Sequence, residues 1–149
     1  MKKIGICLLI VAMLVCSSCS SDKDMYSKMK VGMDYDDFFN IVIDSNAFGY
    51  YGYVFLESED GNNIVVEFDL DNKTITRKEK YNKVTDIYVE NFERITSGMT
   101  VFEVARLLGL PVSKSTSDDV RSLYFGNDNA SYCVIFDKDM KVSSTEKVN

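Results

Sequence analysis

The sequence predicts an α+β fold built as a tandem repeat, each copy a short helical segment packed on an antiparallel β-meander. Three observations carry that expectation. The run Tyr26-Ser27-Lys28-Met29-Lys30-Val31-Gly32-Met33-Asp34 recurs 66 positions later as Phe92-Glu93-Arg94-Ile95-Thr96-Ser97-Gly98-Met99-Thr100, with aromatic on aromatic, base on base and Gly-Met identical. Val65 to Lys73 is echoed by Cys133 to Lys141 at an offset of 68, which one two-residue indel reconciles with the first match. Between the matched runs, apolar residues first keep helical spacing and then alternate as in strands separated by Gly, Asn and Asp turns. The expected organisation is a leader at 1–18, a tether at 19–25, a first unit at 26–80, a linker at 81–91 and a second unit at 92–149.

The leader follows from three adjoining segments. Lys2-Lys3, the apolar run from Ile4 to Val15 and the small residues around Cys19 are the charged, apolar and cleavage regions of an export signal. The apolar run is too short to span a bilayer with useful flanks. Ser17-Ser18 before Cys19 resembles the lipobox of bacterial lipoproteins, which implies that Cys19 becomes a lipidated first residue. Cys16 stands where that pattern usually has Leu, and a soluble secreted protein cleaved near Ser18 is the other reading. Ser20-Ser21-Asp22-Lys23-Asp24 has the composition of a short flexible tether.

Charge then restricts the partners. The formal net charge is -6, and loss of Lys2 and Lys3 with the leader takes it to -8. Clustered Lys and Arg for neutralising phosphates are missing, so nucleic acid is not an expected partner. The same balance disfavours adsorption to anionic lipid, so membrane association is expected through the lipid on Cys19 alone. Cys7 and Cys16 fall in the leader and Cys19 in the lipobox, which leaves Cys133 with no partner for an intrachain disulfide. Its counterpart in the first copy is Val65, so Cys133 reads as a small apolar strand residue.

In each unit the Gly-Met run leads into a helix. Thr100 with Glu103 has capping-box spacing, Val101, Val104, Leu107 and Leu108 share a face, and Gly109 and Pro111 stop the helix. In the first unit Asp34 or Asp36 is expected to cap a helix from Asp36 to Asp44 with Phe38, Ile41 and Val42 inward. Strands are expected at Tyr51 to Glu57, Asn63 to Leu70 and Lys73 to Lys78, and again at Arg121 to Phe125, Ser131 to Asp137 and Lys141 to Glu146. Alternation assigns Ile64, Val66, Phe68 and Leu70, and likewise Tyr132, Val134 and Phe136, to the helix-bearing face. The linker is ambiguous between a strand and a short helix, because Val84, Ile87, Tyr88, Asn91 and Phe92 keep helical spacing while Ile87-Tyr88-Val89 has strand composition.

Catalytic signals are weak. The chain has no histidine, which removes the commonest general base and metal ligand. Asp36-Asp37 and Asp118-Asp119 are adjacent pairs whose side chains diverge in regular structure, so they read as caps and solvated charge. Asp69-x-Asp71-x-Lys73 and Asp137-x-Asp139-x-Lys141 have Lys where a calcium loop needs an oxygen ligand, and they read as Asp-rich hairpin turns. No catalytic residue, cofactor or metal is expected. The least bland stretch is Phe48-Gly49-Tyr50-Tyr51-Gly52-Tyr53-Val54-Phe55. In an extended chain Tyr51, Tyr53 and Phe55 share one face and Tyr50, Val54 and Leu56 the other, so one set is core and the other exposed aromatic surface. Behind the central strands, Val65, Cys133 and Ile135 form an apolar face either packed within the tandem or offered to a partner. The candidate partner-binding set is Tyr50, Tyr51, Tyr53, Val65, Cys133 and Ile135.

Phe92 to Thr100, with Glu103-Val104, Leu108-Gly109-Leu110-Pro111, Leu123-Tyr124 and Val134-Ile135-Phe136-Asp137 before Val142, resembles the SmpA/OmlA (BamE) outer-membrane assembly lipoproteins. Doubling of that unit is similar to the fold of the β-lactamase-inhibitor protein (BLIP-like), a tandem of helix pairs on sheets. The first copy lacks the Leu-Gly-x-Pro element. The resemblance implies a non-enzymatic cell-envelope lipoprotein that binds another envelope or extracellular protein. Ser20 after Cys19 is similar to lipoproteins sent to the outer membrane where a cell has two membranes; with one membrane, the outer face of the cell membrane is implied. The alternative is an inhibitor of an extracytoplasmic β-lactamase or protease, probing with Glu59-Asp60-Gly61 or Asn127-Asp128.

Overall fold

Both longer helices begin on the capping residues that the sequence offers. Asp34 accepts from the Asp37 amide at 2.9 Å and starts α2 after the single turn α1 (Met25–Lys28; α2 is Tyr35–Val42). Thr100 starts α4 (Val101–Leu108), which follows α3 (Val89–Glu93), with a complete capping box in which Glu103 accepts from the Thr100 amide at 2.7 Å. Gly109 ends α4 at φ 81°, a conformation open to glycine and costly for other residues. The computed structural model describes residues 24–85, 89–115, 117, 119–127 and 130–148. Cys19 and the whole leader lie outside the described residues. Among those described, no helix is long and apolar enough to cross a membrane.

Among the described residues eight strands form two antiparallel four-stranded sheets. The first runs β1 (Phe48–Tyr50), β2 (Tyr53–Glu57), β3 (Asn63–Asp69) and β4 (Thr74–Tyr81) in sequence order. The second runs β5 (Ser113–Lys114), β6 (Arg121–Asn127), β7 (Ala130–Phe136) and β8 (Val142–Val148) in the same manner. The fold is therefore α+β, with one strand more per sheet than the expected meanders. The linker resolves in favour of a helix at Val89–Glu93; 86–88 lie outside the described residues.

β1 exists because the aromatic run is broken by a turn. Tyr51 and Gly52 take φ 45° and 81°, two successive positive values of the kind that close a two-residue hairpin and match strand twist. The expected strand from Tyr51 is thereby corrected: Tyr50 pairs with Tyr53, and Phe48 with Phe55, so all four share one face. A Cβ on Gly52 would stand 3.2 Å from the Phe68 carbonyl oxygen, so space and backbone both demand glycine there.

The helix-bearing face of the first sheet carries Val54, Leu56, Ile64, Val66, Phe68 and Ile75, buried with Met29, Phe38 and Val42. Leu70 departs from that row and is 67% exposed. β3 ends at Asp69, so Leu70 belongs to the turn and not to the alternating row, whereas the register irregularity opposite Glu67 and Phe68 falls on β4 and leaves Phe68 in the row. In the second sheet Leu123, Phe125, Val134, Phe136 and Val142 meet Val101, Phe102, Val104 and Leu108 of α4, while Phe92 of α3 stacks on Tyr132 at 4.4 Å between centroids. Both sheets tie their Gly-Met segments by the same bonds. Gly32 donates to the Ile75 carbonyl and Ile75 to that of Met33, at 2.8 and 2.9 Å; Gly98 donates to Val142 and Val142 to Met99, both at 2.8 Å. Isolated bridges join Asp34 to Thr74 and Thr100 to Lys141. Thr74, rather than Lys73, is thus the positional counterpart of Lys141, because the paired residues Phe68 and Ile75 lie one position further apart in the chain than Phe136 and Val142.

The caps generate a direct test. Thr100→Ala removes the side-chain acceptor and the partner of Glu103, and is expected to lower stability by about 1 kcal/mol in urea denaturation. An unchanged midpoint would show that the box contributes nothing.

Candidate recognition surface

The far face of the first sheet is covered by the chain's own helix. Tyr53, Phe55 and Val65 join a single buried cluster with Phe102, Ala105 and Leu108 of α4 and with the second sheet. The Tyr53 and Phe102 rings lie 5.9 Å apart, and the Arg77 guanidinium lies 4.1 Å over Phe102. Of the two expectations for this face, packing within the tandem and presentation to a partner, the first holds for Tyr53 and Val65, because α4 buries residues toward both sheets. Tyr53 and Val65 are 8% and 0% exposed. Tyr50 is buried with them, and Tyr51 is half-buried beneath the Arg121 guanidinium, 4.5 Å from its ring centroid.

Cys133 is buried and Ile135 half-buried on the other side of the second sheet from Val134. Burial pushes the Cys133 thiol pKa up, with nearby Ser122 and Tyr124 only partly opposing it, so the thiolate is disfavoured at neutral pH. Of the six expected partner-binding residues, Tyr50, Tyr53, Val65 and Cys133 are thus interior. Tyr51 and Ile135 retain partial exposure, and they do not form one surface with the rest.

Where β4 meets α4, charge is gathered around one carboxylate. Glu79 accepts from the Tyr81 hydroxyl at 2.8 Å, Arg77 Nε at 2.9 Å and Arg106 Nη2 at 2.9 Å. Burial pushes the Glu79 pKa up, but these three donors outweigh it and hold the carboxyl below its usual value. The phenols of Tyr53 and Tyr81 are pushed up, first by burial and then by their bonds to Glu67 and Glu79. The Tyr53 hydroxyl donates to Glu67 at 2.7 Å. The Tyr50 hydroxyl, by contrast, is buried beside the Ser122 backbone without hydrogen-bond geometry to any described residue. The Glu79 cluster ties α4 to β4.

An open surface lies at the hairpin end of the first sheet, where Tyr50 and Tyr53 also reach its edge. A groove of about 850 Å³ wraps the end of the β1–β2 hairpin, lined by Tyr35, Tyr51, Leu70, Lys73 and Lys114 among others. Lys114 is committed, donating to the Gly49 carbonyl at 2.9 Å and lying 5.4 Å from the Phe48 ring centroid. Tyr35 continues from this groove along α2 into Phe39 and Ile43, which are 43%, 43% and 72% exposed. The Tyr35 and Phe39 rings are in contact at 4.6 Å, and Tyr35 meets Phe68 at 5.4 Å. The i, i+4, i+8 spacing of Tyr35, Phe39 and Ile43 is visible in the sequence. It runs beside the core stripe of Phe38 and Val42, and periodicity alone does not say where burial stops.

The Asp-rich turns are occupied by their own backbones. Asp69 accepts from the amides of Asp71 and Asn72 at 2.8 and 3.1 Å, and Asp137 from those of Asp139 and Lys141 at 2.9 and 3.0 Å. These bonds hold both carboxyls below their usual range. Among the described residues no group of three or more Cys, Asp or Glu side chains is placed to hold a metal ion. At the β2–β3 turn, Asp60 is bound by the Ser58 hydroxyl and by Lys80 Nζ at 2.7 Å, and Lys80 also reaches Asp24 at 2.8 Å. Asp60 is therefore tied back to β4 while its side chain stays exposed. Asp118 and Asp128 lie outside the described residues. No family model matches this chain, and comparison with curated proteins finds no match.

Two measurements check these assignments. Glu79 ionises in the unfolded chain near pH 4.3 (about,) and lower when folded, so its contribution is complete above that value and is lost as pH falls through the folded pKa. Glu79→Gln is expected to be destabilising at pH 7, with the gap from wild type closing below about pH 4; a gap independent of pH would remove the charge from the explanation. Tyr53→Phe is expected to cost about 1 kcal/mol, and Tyr50→Phe less, in the same denaturation assay.

Proposed function

We propose that this chain is a lipid-anchored bacterial cell-envelope lipoprotein acting as a non-enzymatic protein-binding or envelope-assembly module. The anchor in this reading is Cys19, and the tandem units at 26–80 and 92–149 follow the SmpA/OmlA (BamE)-like and BLIP-like pattern. Two observations support the tandem: a helix pair followed by four antiparallel strands occurs twice, and the Gly-Met segments are tied to β4 and β8 by matching bonds. On this reading the protein sits in the outer membrane of a cell with two membranes, or on the outer face of a single one.

The observation that carries protein binding is the exposed apolar face of Tyr35, Phe39, Ile43 and Leu70, continuous with the groove at the hairpin end. Exposed aromatic and aliphatic side chains gathered on one face are costly to leave in water and supply the anchors of protein interfaces. The sheet face behind β2 and β3 is removed from consideration because α4 occupies it.

Cys19→Ala is expected to move the protein from the membrane to the soluble fraction of the envelope; unaltered fractionation would sink the anchor. A photo-crosslinking phenylalanine analogue at position 39 is expected to capture a protein in intact cells, while the same group at Tyr124 on the second sheet captures none. Capture at 124 and not at 39 would reverse the assignment.

A further inference from the structure

The charged residues of α2 itself are all acidic. From Val31 to Asn72 the chain contains no Lys or Arg and ten Asp or Glu residues. Asp36 and Asn40 form the helical row next to Tyr35, Phe39 and Ile43, each one residue on, and Asp44 follows just beyond the helix. All three are exposed. Leu70, the other apolar projection, stands between Asp69 and Asp71. The nearest bases in the groove are Lys73 and Lys114, and Lys114 is held by the Gly49 carbonyl and two aromatic rings.

We infer that this face binds a cationic apolar segment of a partner protein, one that seats aliphatic side chains on Phe39 and Ile43 and sets Lys or Arg against the Asp36, Asp44 and Asp71 carboxylates. The inference rests on the protein-binding reading above and specifies its partner. Complementary charge selects this occupant over the others. A second copy of the chain brings the same acids to the same place and is repelled, and an anionic lipid surface is repelled likewise. A neutral apolar segment would satisfy the stripe but leave the carboxylates facing low-dielectric surface without counter-charge. A basic amphipathic helix or strand satisfies both rows at once.

The test uses the full chain in nanodiscs of zwitterionic phosphatidylcholine, with empty nanodiscs as reference. The probes are fluorescent amphipathic peptides sharing one set of Leu positions and bearing Lys, Gln or Glu elsewhere. Saturable binding of the Leu/Lys peptide is expected to be at least about tenfold tighter than that of the Leu/Gln peptide and to weaken as salt rises. Phe39→Ser is expected to weaken it about tenfold. Combined Asp36→Asn, Asp44→Asn and Asp71→Asn is expected to weaken it comparably and to flatten the salt dependence. Equal binding of the Leu/Gln peptide, or Leu/Lys binding indifferent to Phe39→Ser, would overturn the inference. Phe39-dependent attachment of the protein to bare phosphatidylcholine vesicles would overturn it in favour of lipid. The crosslink at position 39 separates the two levels: no captured protein defeats the protein-binding reading itself, whereas a captured segment without Lys or Arg defeats only its cationic character.

Discussion

Packing of α4 on two sides is the constraint from which the rest of the structure follows. An eight-residue helix is too short to persist by its own hydrogen bonds, and α4 buries Val101, Phe102, Val104, Ala105 and Leu108 within a cluster drawn from both sheets. A single face on one sheet would leave Phe102 in water. With the far face of the first sheet against it, Phe102 meets Tyr53 and Arg77, and a fully buried Phe contributes roughly 1.5–3 kcal/mol. Arg106 of α4 and Glu79 of β4 then tie the helix to the sheet through an ion pair at 2.9 Å, in which the carboxylate is the more covered partner. The layers therefore stack as α1–α2, first sheet, α4, second sheet, and neither sheet keeps an apolar face open at the centre.

That stacking decides where recognition can occur. Filling the central face with α4 moves the available apolar surface to the outer side of α2 and to the hairpin end, where Tyr35, Phe39, Ile43 and Leu70 have no cover among the described residues. The same side carries the exposed Asp36, Asp44 and Asp71. A rigid sheet beneath α2 holds the stripe in place, since Phe38 and Val42 are sunk into it, and a preorganised surface loses less entropy on binding.

Local chemistry was legible in the sequence and long-range covering was not. Thr100 with Glu103 and Asp34 before an apolar stripe state helix starts through contacts three residues apart, and the structure makes both. The central strands were readable because Ile64, Val66 and Phe68, and Tyr132, Val134 and Phe136, alternate. Tyr51-Gly52 was missed as a turn because a tyrosine at φ 45° is rare, so the aromatic run reads as one strand and puts Tyr50 on the wrong side. Leu70 was misplaced because β3 ends one residue before it, at Asp69, and alternation does not mark where a strand stops. Comparison of the copies paired Lys73 with Lys141 by identity, whereas the hydrogen-bonded counterpart is Thr74. Burial of Tyr53 and Val65 depends on a helix that begins 48 and 36 positions downstream of them (101 minus 53 and 101 minus 65), a tertiary fact invisible to any local pattern, so the sequence left this face open between packing and recognition.

Native-state hydrogen exchange on Phe102→Ala tests this account most directly, because amides in each sheet report the stability of their own surroundings. If α4 joins the sheets, protection at Ile64 to Val66 in β3 and at Tyr132 to Val134 in β7 falls together, by about 3–5 kcal/mol in both. Loss confined to β7, with β3 as protected as in the wild type, would contradict it: the far face of the first sheet would then stand free of α4 and be open to a partner after all.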